Sequence, residues 1–375
     1  MPLTVAIAKE TAEGERRVAI DPSLMSKFSQ LGLHVLIEKD AGKAAYIPDE
    51  QFKGATFVDN SADLYAQADI IFRVQKPSAE DVAQMKPDSI VISTFMAYSH
   101  ADLIQQFCDK NITSFSMELI PRISRAQSMD VLSSQASIAG YKAAIMGANL
   151  SSRFFPMLTT AAGTIRPSKV IVLGVGVAGL QAIATAKRLG AIVEAYDLRP
   201  ETIGQVKSLG ARFIELSLSA TGEGGYAREL TAEEKKQQNE ELSDHISKAN
   251  VIITSAGVPG RPAPKLISEA TVNKMQKGTV IIDLVAEGGG NCALTQAGKT
   301  IDHNGVIIHG PLNVSSQVAA HASEMYAKNL FNFLSPMIKE GEFKPNWDDE
   351  LIAKSLLTRN GKIQHKATRE LIEGA

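Results

Sequence analysis

The sequence predicts an α/β protein of two doubly wound parallel-sheet domains joined by two long helices, with a ligand cleft between the domains. Three observations carry that expectation. The first third alternates short apolar strands with helices, a spacing that implies parallel pairing. Two stretches, 132–155 and 316–334, keep helical periodicity well beyond the length of the other helices. At 375 residues the chain is long for one core and suits two domains.

In the first third, residues 5–8, 35–38, 55–58, 69–74, 89–94 and 113–117 read as short strands. Residues 22–30, 62–67, 79–85 and 101–110 read as helices between them. Pro22 follows Asp21 and Ala101 follows His100, both plausible helix starts. This region has no G-x-G-x-x-G of its own.

The first long helix is expected from Leu132 to about Phe155, with Ile138, Tyr141, Ile145, Ala148 and Leu150 at helical spacing and Pro156 as its stop. Gly140 and Gly147 weaken it locally and permit close helix contact. The central stretch follows. Val170 to Leu173 is a buried strand that ends in Gly174-Val-Gly176-Val-Ala-Gly179. A helix runs from Leu180 to Leu189 with Gly190 as its C-cap, and a second strand, 191–196, ends in Asp197. Each piece suits dinucleotide binding in a Rossmann-type domain. Gly174 allows the tight turn, Gly176 lets the backbone approach a pyrophosphate, and Gly179 lets helix and strand pack closely. The helix start presents free N–H groups and a positive dipole end to phosphate. Asp197 can accept both ribose hydroxyls, and its charge repels a 2′-phosphate, so NAD is expected over NADP. Arg199, two residues on, is the residue type that accommodates such a phosphate and stands against that choice.

Further strands are expected at 212–215, 251–254, 280–284 and 306–310. Between the first two lies a glycine-rich segment, Ser217 to Tyr226, and then a charged run, 227–242. The charged run reads as a solvated helix. The segment carrying Gly225 and Tyr226 reads either as a flexible surface loop or as a loop with an aromatic tip that closes over a ligand. The second long helix has Val318, Met325, Leu330 and Phe333 as its apolar side, and the tail from Asn346 packs back on the first domain. The expected domains are therefore 1–131 with 315–375, and 132–314.

Composition narrows the partners. The net charge of −2 gives no reason to expect nucleic acid or an anionic membrane surface. Cys108 and Cys292 are too few for a disulfide framework and suit a reducing compartment. The seven histidines show no metal-ligand spacing, so no metal is expected. The N-terminus enters a strand at Leu3 without a signal peptide, and no run of about 18 apolar residues spans a membrane.

Arg122-Ile-Ser-Arg-Ala-Gln-Ser-Met-Asp130-Val-Leu-Ser133 is dense in hydrogen-bonding groups for a loop at a domain crossing. Gln127 suits a carboxamide, Asp130 and Ser133 suit hydroxyls, and Arg122 suits a carboxylate or amide oxygen. Asp130 or Ser133 equally suits a helix N-cap, and the two roles are compatible.

This loop, the Gly174–Gly190 stretch and Gly288-Gly-Gly-Asn-Cys292 resemble the NAD(H)-binding component, domain I, of proton-translocating NAD(P) transhydrogenases, over essentially the whole chain. The resemblance implies direct hydride transfer between NAD(H) held here and NADP(H) held by a partner component. It also implies coupling to proton movement through a membrane-spanning component, a homodimer, and a cytoplasmic, peripheral location on the inner membrane reached through those subunits. It implies Arg122, Gln127, Ser128, Met129, Asp130 and Ser133 at the nicotinamide end, with Gln127, Arg122 and Asp130 as its positioning groups. Gly174, Gly176, Val177 and Gly179 would line the pyrophosphate turn. Asp197, Leu198 and Arg199 would meet the adenosine ribose. Gly225, Tyr226 and Gln238 would belong to a mobile loop, and Gly257 would border the cofactor.

Alanine dehydrogenase shares this fold and is the alternative: a self-sufficient NAD-dependent enzyme. Its substrate pair would fall at Arg16 or Arg17 and at Lys76, its acid at Glu287, and its acid/base histidine at Met96, with His100 four residues on. A missing imidazole argues against amino-acid chemistry.

Overall fold

The computed structural model describes residues 2–97, 100–217, 232–257 and 262–373. It divides into two compact units, residues 1–135 with 315–375, and residues 136–314.

The first unit opens with β1 (Thr4–Ile7), α1 (Met25–Gln30), β2 (His34–Glu38), β3 (Thr56–Val58), α2 (Ser61–Gln67), β4 (Ile70–Phe72), α3 (Ala79–Gln84), β5 (Ile90–Ser93), α4 (Ala101–Asp109) and β6 (Thr113–Ser116). These six strands are parallel in the order β3-β2-β1-β4-β5-β6. Side chains alternate across the sheet: Val5 and Ile7 enter one core, Ala6 and Ala8 the other. Both faces are therefore covered, which is why the strands are continuous apolar runs. Ser78 and Asp81 form a capping box that starts α3.

Helix α5 (Val131–Leu150) contains the boundary between the units. It ends at Leu150, five residues before the stop expected at Phe155. The Ser151 hydroxyl takes the Arg153 N–H, while the Ser168 hydroxyl and N–H bond the carbonyls of Phe154 and Phe155, so these backbone groups leave the helix for the sheet. A hairpin, β7 (Leu158–Thr160) and β8 (Gly163–Ile165), follows.

The second unit continues with β9 (Lys169–Leu173), α6 (Val177–Arg188), β10 (Ile192–Tyr196), α7 (Thr202–Ser208), β11 (Arg212–Phe213), α8 (Ala232–Ile246), β12 (Val251–Thr254), α9 (Glu269–Asn273), β13 (Val280–Asp283), β14 (Thr300–His303) and β15 (Val306–His309). The sheet order is β11-β10-β9-β12-β13-β15-β14, parallel except for β14. Here too the faces alternate, with Val170 and Val172 in one core and Ile171 and Leu173 in the other. Gly140 of α5 lies so near α6 that a Cβ there would sit 2.0 Å from the Ala178 carbonyl, and one at Gly147 would sit 2.8 Å from the Val251 side chain. Both glycines are contact points of the helix with its own unit.

The chain then returns to the first unit through α10 (Ala319–Leu334), the hairpin β16 (Ile338–Lys339) and β17 (Glu342–Phe343), α11 (Glu350–Ser355), β18 (Leu356–Arg359), β19 (Lys362–Ile363) and α12 (Lys366–Glu373). β18 adds antiparallel to β6, so the tail completes the first sheet. α10 buries Ala322, Ser323, Tyr326, Ala327, Leu330, Phe333 and Leu334. Met325, expected on this face, is 37% exposed; the tighter face is made by small residues and Tyr326, whose hydroxyl donates to the Arg73 carbonyl at 2.9 Å.

The six parallel strands of each sheet thus have the order 3-2-1-4-5-6, with antiparallel additions at one edge. In such a sheet, ligands bind outside the carboxyl ends of the strands where the order reverses. That point lies between β1 and β4 in the first unit, and between β9 and β12 in the second.

Candidate functional site

In the second unit the chain leaves β9 at Gly174, whose φ of +89° is the left-handed region that glycine alone occupies freely. A Cβ there would lie 2.7 Å from the Ala256 nitrogen. A Cβ on Gly179 would lie 1.9 Å from the Gly174 carbonyl, so the helix start packs on the turn itself. Gly176 is different: a Cβ on it meets no atom within 4 Å. It is the N-cap of α6 and supplies no side chain to the first N–H groups, and Val177 beside it is 42% exposed. A helix N-terminus with open space before its N–H groups is a site for an anion.

Asp197 stands at the end of β10. Its Oδ2 accepts the Val175 N–H at 2.7 Å, and Arg199 reaches both oxygens, Nε to Oδ1 at 2.9 Å and Nη2 to Oδ2 at 3.0 Å. Burial pushes this carboxyl up, but the hydrogen bonds from Arg199 and Val175 prevail and hold it below the usual carboxylate range. Leu198 is 77% exposed. Arg199, expected beside Asp197 and as a residue type suited to a phosphate, is the ion-pair partner of Asp197. Gly257 is exposed after β12, where the Ser255 hydroxyl ties this loop to the Gly174 carbonyl at 3.0 Å. Gln238 is half-buried on α8. Gly225 and Tyr226 lie outside the described residues.

The polar loop belongs to the first unit. Ser124–Met129 forms a single 3₁₀ stretch with no side-chain cap. Ala126 is buried, Met129 packs on the core, and Arg122, Gln127 and Ser128 have exposed side chains. Asp130 accepts from the Ser133 N–H at 2.9 Å and its hydroxyl at 2.6 Å, so it caps α5. The loop is pinned from afar. Asn329 and Asn332 of α10 both donate to the Ser128 carbonyl, at 2.8 and 3.1 Å, and Arg125 makes a bidentate pair with Asp349. Pairing alone did not reveal these tethers, because they join residues some 200 positions apart.

At the carboxyl ends of β1 and β2 a cavity of about 240 Å³ is lined by Lys9, Glu10, Glu15, Arg17, Asp40 and Lys43, among others. Glu15 grips buried Arg17 through both oxygens, Oε1 to Nε at 2.8 Å and Oε2 to Nη2 at 2.6 Å. Burial raises the Glu15 carboxyl, yet the Arg17 contacts prevail and bring it down to about 2. The residue joined to this pair is Gln75, whose amide donates to Glu15 at 2.7 Å; Lys76, expected in that place, is exposed. Both residues lie in the irregular segment after β4, where a bend turns Gln75 towards Glu15 and leaves Lys76 exposed. Arg16 turns instead to the Ala44 carbonyl and the Tyr46 ring. Met96 is 48% exposed with φ +50°, its N–H and that of Phe95 held by Glu118.

Family models for the N-terminal and C-terminal domains of alanine dehydrogenase/PNT match residues 6–139 and 143–366. The chain belongs to the alanine dehydrogenase/PNT family. Among family members, it is 45% identical over 378 residues to an NAD(P) transhydrogenase subunit alpha polypeptide of Rhodospirillum rubrum, covering 97% of this chain and 98% of that one. The crystal structure of transhydrogenase from Sinorhizobium meliloti is similar with a TM-score of 0.86 and 41% identity, over 97% of this chain and 99% of that one. A solved L-alanine dehydrogenase shares the fold, with a TM-score of 0.82 at 22% identity over 99% of both chains. Within the family, then, the sequence stands nearer these transhydrogenases than that dehydrogenase. Among the described residues no helix is long and apolar enough to cross a membrane, and none group as a metal site.

Proposed function

We propose that the chain is the NAD(H)-binding component of a proton-translocating transhydrogenase. Its activity would be direct, Re/Si-type hydride transfer between NADH held here and NADP⁺ held by a partner component, coupled to proton translocation by a membrane-spanning component. The observation that carries NAD(H) binding is the Gly176 turn. The protein leaves room there for a group to approach the N–H groups of α6, with the Asp197 carboxylate at the end of the adjacent strand. The near full-length likeness to transhydrogenase subunits supports the rest.

In this reading Gly174, Gly176, Val177 and Gly179 hold the pyrophosphate. Asp197 accepts the adenosine ribose hydroxyls, with Leu198 and Arg199 beside it, after Arg199 yields some of its grip. Gly257 borders the cofactor from the β12 side. Arg122, Gln127, Ser128, Met129, Asp130 and Ser133 orient the nicotinamide, with Gln127 on its carboxamide. Gln238 on α8 belongs to the same cofactor set, as do Gly225 and Tyr226, which lie outside the described residues. When bound, NADH supplies the hydride. The chain's own residues supply position and exclusion of water, and no covalent nucleophile or proton donor is required. The location on the cytoplasmic side of the inner membrane is reached through the partners. A homodimer belongs to the same reading; the exposed hairpin β7–β8 with Phe154, Met157, Leu158 and Ile165 on the surface supports it.

The test mixes the chain with NADH, then adds an NADP⁺ analogue and an NADP-binding transhydrogenase component. NADH should bind the chain alone, and transfer should appear only with the partner. Turnover of pyruvate, ammonia and NADH by the chain alone would replace this reading with the dehydrogenase one.

A further inference from the structure

The crevice between β9 and β12 has two lips. One is the Gly174–Gly179 turn, braced by α6. The other is Ser255-Ala256-Gly257, which has no regular structure of its own. Its support comes from Asn291, a fully buried residue after β13. The Asn291 amide donates to the Ala256 carbonyl and to the Pro264 carbonyl, both at 2.8 Å, and its Oδ1 accepts the Ala256 N–H at 3.1 Å. One side chain thus satisfies both main-chain groups of Ala256. It also links Ala256 to Pro264.

Asn291 is itself fixed. Its carbonyl accepts the N–H groups of Leu266 and Ile267 at 2.8 and 3.0 Å. The next residue, Cys292, donates its N–H to buried Asp283 at 3.0 Å, and Asp283 also takes the hydroxyls of Thr254 at 2.9 Å and Thr295 at 2.6 Å. This bracket joins the ends of β12 and β13. The Ser255 hydroxyl then carries it across to the Gly174 carbonyl. Both amide hydrogens and the Oδ1 of Asn291 are engaged at the lip's base, and the residue is fully buried.

We propose that Asn291 is a positioning residue for dinucleotide binding, setting the Ala256–Gly257 lip against the Gly174 turn and so fixing the crevice width without touching the cofactor. The proposal rests on the NAD(H) reading above. Asparagine is the side chain that offers two donors and one acceptor in one plane; Asp keeps the acceptor and loses both donors, and Leu loses all three.

The full chain is tested as Asn291→Asp, Asn291→Leu and, as control, Val306→Ala. Val306 is buried at the start of β15, towards the opposite edge of the sheet from the crevice. NADH affinity is titrated well below the melting onset of each variant, and melting temperature is measured beside it. Both Asn291 variants should bind NADH about tenfold more weakly or worse, the equivalent of one or two lost buried hydrogen bonds. Val306→Ala should melt lower and bind as the parent does. Parental affinity in either Asn291 variant overturns the proposal, and so does a Val306→Ala loss of affinity in step with its melting temperature. Where the Asn291 variants do not fold, Ser255→Ala probes the same lip: weaker NADH binding supports the proposal and parental affinity overturns it. A folded parent that binds no NADH overturns the NAD(H) reading and this proposal with it.

Discussion

Gly176→Ala separates a ligand cradle from a merely tight turn. Gly176 has φ −81° and ψ −167°, extended backbone open to alanine, and the added methyl meets nothing within 4 Å. Replacing an N-cap glycine by alanine costs roughly 0.5–1 kcal/mol of helix-start stability. The smaller entropy of the unfolded chain returns about 0.4–1 kcal/mol. The net change in stability should therefore fall within about 1 kcal/mol. Binding has no such compensation. The methyl stands where a pyrophosphate would approach the N–H groups at the start of α6, and losing one hydrogen bond to a charged group costs about 1.5–3 kcal/mol, or roughly 10- to 100-fold in affinity.

Gly179→Ala provides the contrast. Its methyl would lie 1.9 Å from the Gly174 carbonyl, far inside van der Waals contact, with no flexible side chain to give way. Overpacking of this kind costs about 1–3 kcal/mol or more, so this variant should melt lower. Urea melts give the stability of each variant, and NADH fluorescence titration gives its affinity. Parental affinity in a folded Gly176→Ala chain would refute the assignment of this turn to the cofactor.

Three further perturbations follow from the geometry. Asp197→Asn removes the charge that Arg199 clasps through both oxygens, so the ratio of NADPH to NADH affinity should rise by about tenfold; an unchanged ratio in paired titrations would show that the pair does not set cofactor choice. Glu15 has its folded value lowered from 4.5 to about 2, so its contribution is complete above about pH 4.5 and disappears as the pH falls towards 2; it is worth at most about 3 kcal/mol. Glu15→Gln should flatten that region of the stability–pH curve, read by fluorescence of the single tryptophan, Trp347, which stacks on Phe115 in the same unit. Replacing both Asn329 and Asn332 by Ala frees the Ser128 carbonyl, and transfer to the NADP-binding component should fall about tenfold with NADH affinity nearly intact; an equal loss in both measurements would deny the loop its positioning role.

The fold was legible wherever local chemistry set it. Strand residues such as Val251 to Thr254 are apolar on both faces because helices cover both faces, and such runs are visible in sequence. The tail was only half legible: that it returns to the first unit could be expected, but β18 and β19 are short antiparallel strands, and the pairing of β18 with β6 depends on an edge some 240 residues away. The exposed hairpin β7–β8 was not legible, because its two three-residue strands are too short to show an alternating pattern. In the candidate site, the tight turn at Gly174 was readable because its φ of +89° calls for glycine, whereas the clasp of Asp197 by Arg199 leaves no such mark in the sequence. Asn291 was visible only within a longer motif, with no role attached, since its partners are main-chain atoms that carry no sequence signature. Arg17 and Gln75 show the same limit: both lie in irregular segments after strands, where no periodicity marks which of two neighbours faces inward.

The first unit's own crevice bears on the choice between transhydrogenase and dehydrogenase chemistry. An amino-acid dehydrogenase needs a cation free to take the substrate carboxylate and a group able to move a proton. Arg17 is held by both oxygens of Glu15 and also bonds Gln135 and Ser315. The side chain joined to the pair, Gln75, carries no charge, and the cavity walls hold the carboxylates of Glu10, Glu15 and Asp40 together with Lys9 and Lys43. A keto-acid carboxylate would have to displace Glu15 and then lie beside it, a like-charge contact in a low-dielectric place. Met96 offers no titratable group where the resemblance puts a histidine; His100, lowered by burial and by the charge of Lys76, lies four residues on. The same residues have a simpler use: Glu15, Arg17, Gln135, Ser315 and Ser316 tie the N-terminal strand loop to α5 and to the start of the returning chain. A side-chain set that in a dehydrogenase would grip a substrate is engaged here in closing the unit, so a substrate carboxylate would have to break those bonds before it could bind.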